Sequence, residues 1–117
     1  MALSQYLDFT ASFNANSGIN IEIGSWDYVI VQLVSPSGAV TFNSTNDDGG
    51  ANGTGYGTAE SATNWVTVQG TNLNAGTAIT SIAASGMIRF GYIGQFLQLT
   101  GTAVTATKVI VRYFKIG

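Results

Sequence analysis

The last apolar run, Lys108-Val109-Ile110-Val111-Arg112-Tyr113-Phe114-Lys115-Ile116, constrains the fold more than any other stretch, because it carries apolar side chains on both faces of one strand. Read with a period of two, Val109, Val111 and Tyr113 point one way and Ile110, Phe114 and Ile116 the other. Arg112 and Lys115 break the run near its end. Such a strand calls for a neighbour along each edge and cover on each face, and so for the middle of a layered β structure.

The same period recurs upstream. Leu7, Phe9, Ala11 and Phe13 alternate with Asp8, Thr10 and Ser12, which predicts a half-buried strand ending at Asn14-Ala15-Asn16-Ser17-Gly18. Ile19, Ile21 and Ile23 predict a second strand, and the nearly continuous apolar stretch 26–34 a central third. Ser35-Pro36-Ser37-Gly38 predicts a tight turn, with Pro36 presetting the second position and Gly38 taking a positive φ, so that 26–34 and 39–45 pair as a hairpin. Further strands are expected at 65–69, 77–83, 87–90 and 95–99, although 78–84 also suits a helical turn. Turns about every ten residues are the rhythm of an all-β antiparallel sandwich, jelly-roll or Ig-like, of about eight strands with no substantial helix.

At 117 residues the chain suits one domain, 1–117, interrupted by a Gly/Asp/Asn-rich loop at about 46–64 that is longer than ordinary connections and expected to be exposed and partly mobile. It contains neither cysteine nor histidine, which removes disulfides, thiolate metal sites and the commonest general base. The first six residues hold no Lys or Arg and no sustained apolar core, so no secretory signal is expected there, and no apolar run reaches the roughly 20 residues of a membrane-spanning helix. The expectation is a protein made in the cytoplasm that engages no membrane.

Charged residues make up 9% of the chain, against about 25% in a typical soluble domain. Such depletion suits a surface covered by partner subunits, although Thr, Ser, Asn and Gly also supply polarity. All six acids (Asp8, Glu22, Asp27, Asp47, Asp48, Glu60) precede all four bases (Arg89, Lys108, Arg112, Lys115), giving −6 and +4 and a net charge of −2. Four scattered cations on an acidic chain argue against nucleic acid. The segregation fits two arrangements: the halves meet within one fold, or the acidic end of one copy faces the basic end of the next.

Chemistry-bearing motifs are few. Asp47, Asp48 and Asn52 offer oxygens for calcium, but the bidentate Glu of a calcium loop is replaced by Ala59, so the residues suit a solvated loop better. Gly53-Thr54-Gly55-Tyr56-Gly57 lacks the Lys-Ser/Thr and the helix N-terminus of a phosphate cradle. Tyr56 in that setting is a candidate contact residue. Asn43-Ser44-Thr45 and Asn52-Gly53-Thr54 match the glycosylation pattern by composition alone. Trp26 and Trp65 open strands and read as packing residues, with a sugar-stacking platform as the alternative. No cofactor is implied, and no catalytic constellation is present to support an enzyme.

Trp26-Asp27-Tyr28-Val29-Ile30-Val31-Gln32-Leu33 running into Ser35-Pro36-Ser37-Gly38, then Ala62-Thr63-Asn64-Trp65-Val66-Thr67-Val68-Gln69-Gly70, and Ile88-Arg89-Phe90 followed by Ile93-Gly94-Gln95-Phe96-Leu97-Gln98-Leu99, together resemble the small β-sandwich structural proteins of tailed-phage virions, capsid decoration (auxiliary or cement) proteins above all. The glycine-rich stretch 49–57 departs from that pattern. The resemblance implies a homo-oligomer, a trimer on local three-fold positions, bound to the major capsid protein on the outer capsid surface, where it ties capsomers together and stabilises the shell. Arg89, Arg112 and Lys115, facing an acidic partner surface, and Tyr56 are the expected contact residues. A glycan- or receptor-binding fibre module using Trp26, Trp65 or Tyr56, and a tail or baseplate component, are the alternatives.

Overall fold

The computed structural model describes residues 3–46, 64–91 and 93–116. Among these, eleven strands and one helix run in the order β1 (Leu3–Asp8), α1 (Thr10–Asn16), β2 (Gly18–Glu22), β3 (Tyr28–Val34), β4 (Val40–Thr45), β5 (Val66–Thr67), β6 (Gly70–Asn72), β7 (Thr77–Ile79), β8 (Ser81–Ile82), β9 (Gly86–Gly91), β10 (Phe96–Thr100) and β11 (Lys108–Lys115). They build one six-stranded sheet, β1-β11-β3-β9-β6-β7, and one five-stranded sheet, β2-β10-β4-β5 with β8 also on β4. Every described pairing is antiparallel. The all-β sandwich expected from the sequence is therefore present, with more strands than expected because 65–72 and 77–82 break into pieces of two or three residues.

The core lies between the sheets. Val29, Val31 and Leu33 of β3 and Val109, Val111 and Tyr113 of β11 are buried on one side, and Ile19 and Ile21 of β2, Phe42 of β4 and Leu97 and Leu99 of β10 on the other. Phe42 and Phe90 meet edge to face across the layers, with ring centroids 5.0 Å apart at 83°. β11 has its two neighbours, β1 and β3. Among the described residues, cover is confined to one face: Ile110 and Phe114 are half-buried and Ile116 is 67% exposed.

Three local expectations give way. The hairpin between 26–34 and 39–45 does not form, because β3 pairs with β11 and β9 in one sheet and β4 with β10, β5 and β8 in the other. Residues 35–39 cross between the layers instead. Strands in one sheet lie about 4.8 Å apart and packed sheets about 10 Å, distances that a connection of this length spans equally well. The corner is held by other segments: the Ser35 N–H donates to Ser85 Oγ (2.8 Å), the Ser37 N–H to the Thr105 carbonyl (2.8 Å) and the Thr105 N–H to Ser37 Oγ (2.9 Å). The left-handed residue is Ser35 (φ 49°), not Gly38.

The strand expected over 7–13 stops at Asp8 and becomes α1. Asp8 Oδ1 accepts the Thr10 N–H (2.9 Å) and hydroxyl (2.6 Å), a local turn that competes with the ladder. Phe9 and Phe13, four apart, share a helix face as readily as a strand face, and Phe13 is fully buried. Asn14 then fastens the helix to the chain leading into β11, its Nδ2 donating to the Ala106 carbonyl (3.0 Å) and its Oδ1 accepting the Ala106 N–H (2.8 Å). The helical turn considered for 78–84 is absent; β7 and β8 occupy that stretch on different sheets.

A buried hydroxyl closes the far end of the sandwich. Ser44 Oγ donates to the Phe96 carbonyl (2.7 Å) and accepts the Gly94 N–H (2.8 Å). Gly94 lies so close to β4 that a Cβ there would sit 2.6 Å from the Thr45 carbonyl oxygen. Ser44→Ala strands that N–H, and a loss of about 1–3 kcal/mol in unfolding free energy is expected, read as a lower urea midpoint at unchanged m-value.

Candidate functional site

The two outward faces differ in chemistry. On the five-stranded sheet, side-chain amides form a continuous ladder across four strands: Gln98 Nε2 donates to Asn20 Oδ1 (3.1 Å), Asn43 Nδ2 to Gln98 Oε1 (2.9 Å), and Thr67 Oγ1 to Asn43 Oδ1 (3.1 Å). This face spends its polar groups on itself. Asn43, in one of the glycosylation patterns, is engaged at both ends of its amide.

The six-stranded sheet presents cations on aromatic rings. Register places Arg112 of β11 and Arg89 of β9 on either side of Ile30 of β3, all three on the outer face by strand alternation. The Arg112 guanidinium lies 5.3 Å from the Tyr6 ring centroid and that of Arg89 4.6 Å from Tyr28. Tyr28 stacks on Phe114 at 4.7 Å with 9° between planes. Both arginines are exposed, as are Tyr6 and Met87, while Ile30, Tyr28 and Phe114 are half-buried between them. At one end of the face Asp8 and Lys108 form a solvent-exposed ion pair at 3.6 Å that neutralises itself. Its hydrogen bonds from Thr10, and then Lys108, hold the Asp8 carboxyl below the usual carboxylate range. Among the described residues the face thus carries the two arginine charges uncompensated, on a chain whose net charge is −2.

Two of the contact residues expected from the sequence are brought together here, Arg89 and Arg112. Lys115 is not: it follows the alternation of Tyr113, points away from this face, and donates from Nζ to the Ser25 carbonyl (2.8 Å). Tyr56 and the calcium candidates Asp47, Asp48 and Asn52 lie outside the described residues. Trp26 packs on Tyr113, with centroids 5.7 Å apart, and Trp65 on Phe96; both are half-buried. Sequence reasoning missed Tyr6, Tyr28, Ile30 and Phe114 as members of the site. The signal was available, since strand alternation puts Phe114 with Arg112 and Tyr28 with Ile30.

Beside this face, at the edge where β1 and β2 close the sandwich, runs a groove of about 580 Å³ lined by Leu7, Ile23, Trp26 and Tyr113 among others. Burial, and secondarily the charge of Glu22, pushes the Tyr113 hydroxyl up to about 12. A raised tyrosine pKa disfavours the phenolate in the folded protein. Stability is therefore unaffected below pH about 10, the ordinary tyrosine value, and falls above it as the unfolded chain ionises first. Absorbance titration at 295 nm should show one tyrosine ionising late, near pH 12, and Tyr113→Phe should remove that step.

A guanidinium held over a ring has already lost much of its rotamer freedom and still offers N–H donors to carboxylates or carbonyls of a partner, although Arg112 Nη1 also donates to Ser4 Oγ (3.4 Å). Tyrosine and arginine around a half-buried aliphatic centre are the composition of an interface hot spot.

Fold and face together define the class: a small antiparallel β-sandwich with a self-satisfied polar face on one sheet and an arginine–aromatic contact face on the other. No family model matches the chain, and no curated protein sequence matches it. Its fold is similar to that of the crystal structure of SPBc2 prophage-derived protein YomS, with a TM-score of 0.63 over 97% of this chain and 93% of that one, at 13% sequence identity.

Proposed function

We propose that the chain is a non-enzymatic structural protein of a tailed-phage virion, a capsid decoration protein that self-associates, binds the major capsid protein on the outer surface of the shell, and stabilises it. The observation that carries this reading is the Arg89–Ile30–Arg112 face: exposed, cationic on an acidic chain, and preorganised on tyrosines. The fold shared with a prophage-derived protein supports a phage setting. The mechanism is area burial. A standard contact of roughly 1,600 Å², repeated over symmetric copies, gives avidity that one subunit lacks.

A glycan-binding role built on Trp26 or Trp65 has less support, because each indole is packed against a neighbouring ring or core residue and half-buried. Cosedimentation with shells of the major capsid protein of the same phage tests the proposal. Saturable binding that resists dilution and raises the temperature at which the shells break is expected. Absence of binding to shells, with binding to isolated tails instead, would move the protein to the tail or baseplate.

A further inference from the structure

We propose that β1 is a self-pairing edge through which two copies join their six-stranded sheets into one continuous sheet across a two-fold axis. Among the described residues β1 lies at the end of its sheet, hydrogen-bonded along one side only, to β11. Sheet ends left open in this way are normally shortened, charged or covered. Among the described residues two of the other ends are short: β5 is two residues long and β7 is three, while β2, at five residues, follows directly on α1. β1 is six residues long, holds no Pro or Lys, and carries its single charge, Asp8, at its last position.

The backbone sets what such an edge can accept. The Phe9 N–H donates to the Val109 carbonyl (2.8 Å), in step with the Leu7–Val111 and Gln5–Tyr113 pairs, so odd-numbered residues turn their polar groups to β11 and Ser4, Tyr6 and Asp8 turn theirs outward. A two-fold centred on Tyr6 sets Ser4 opposite the partner's Asp8 and Gln5 opposite the partner's Leu7. No like charges are opposed.

Side chains on both faces of the edge are left open as a missing strand would leave them. Leu7 points into the sandwich yet is 43% exposed, and Tyr6, on the other face, is 56% exposed. The groove on the inner side of β1, with Leu7, Ile23, Trp26 and Tyr113 in its wall, has room for the inward side chains of an added strand. The partner's β1 supplies Leu7 to it.

The contact is a pair rather than a ring. A head-to-tail ring through sheet edges needs a second open edge of matching length, and β7 at the opposite end of the sheet is too short to accept β1. This replaces the trimer implied by the resemblance with a dimer, and it holds or fails independently of shell binding.

Native mass spectrometry and sedimentation velocity over a dilution series test it, with Ser4→Pro and Leu7→Lys as variants. Proline at position 4 removes an N–H that the single subunit does not use in its ladder, so the fold is kept while pairing loses a hydrogen bond. The wild type is expected at the mass of two chains, each variant weakened in self-association by about tenfold or more, and each variant still unfolding cooperatively when dilute. Amide exchange should show the Ser4 and Tyr6 N–H groups protected when concentrated and open when dilute. A wild type at the mass of one chain or of three, or dimers untouched by both substitutions, would overturn the pairing. A three-chain mass that still binds shells would do so while leaving the decoration reading intact.

Discussion

Phe90→Ala is expected to lower the unfolding free energy by about 3–5 kcal/mol, the largest effect of any single truncation considered. Phe90 is buried, and its ring reaches from β9 in one sheet to Phe42 of β4 in the other. It also lies against Gly70, where a Cβ would overlap the Ile88 Cγ2 and the Phe90 ring, so β6 has been brought in as close as a glycine allows. Neighbouring backbone already in contact with the ring cannot collapse far into the space that alanine leaves, and the cavity term adds to the lost transfer energy. Against a total stability of about 5–15 kcal/mol this brings the domain near its threshold. Urea unfolding reads it directly; a loss under about 1 kcal/mol would mean that the two sheets do not meet through this pair.

Arg112→Ala and Arg89→Ala are each expected to weaken binding to the proposed capsid partner by about 2 kcal/mol, roughly 30-fold, with little effect on thermal stability because both side chains are exposed. The double substitution tests whether the two act as one site. They flank the same Ile30, so the combined loss should depart from the sum. Arg→Lys keeps the charge but loses the guanidinium's contact with the ring of Tyr6 or Tyr28 and the forked donors, and should recover only part of the affinity. Binding should fall with ionic strength in the wild type, and less steeply in the alanine variants. Isothermal titration with soluble capsomers separates these cases; unchanged affinity in the double variant would assign the contact to another surface.

Much of this architecture was readable from periodicity. Strands whose inward residues alternate cleanly, such as Ile19 and Ile21 or Val109, Val111 and Tyr113, appear where the pattern put them, because a buried face enforces a period of two. Pairing partners were not readable. Residues 35–39 look like a hairpin turn, and only Ser85 and Thr105, distant in sequence, reveal that they form a corner between sheets. Residues 7–13 fit a strand by alternation, but a local hydrogen bond from Thr10 to Asp8 and the four-residue spacing of Phe9 and Phe13 favour a helix. The candidate face was half legible: Arg89 and Arg112 stood out as scarce cations, whereas their convergence on Ile30 follows from β3 lying between β9 and β11, a fact of topology. Lys115 stood out equally and is committed to the Ser25 carbonyl.

The most direct test of the central claim is the number of copies of this chain per purified virion, measured by quantitative mass spectrometry against the major capsid protein. A capsid decoration protein should be present at a level comparable to the major capsid protein, and should disappear from particles carrying both arginine substitutions. A handful of copies per particle would place the chain in the tail, and none at all would contradict a virion role altogether.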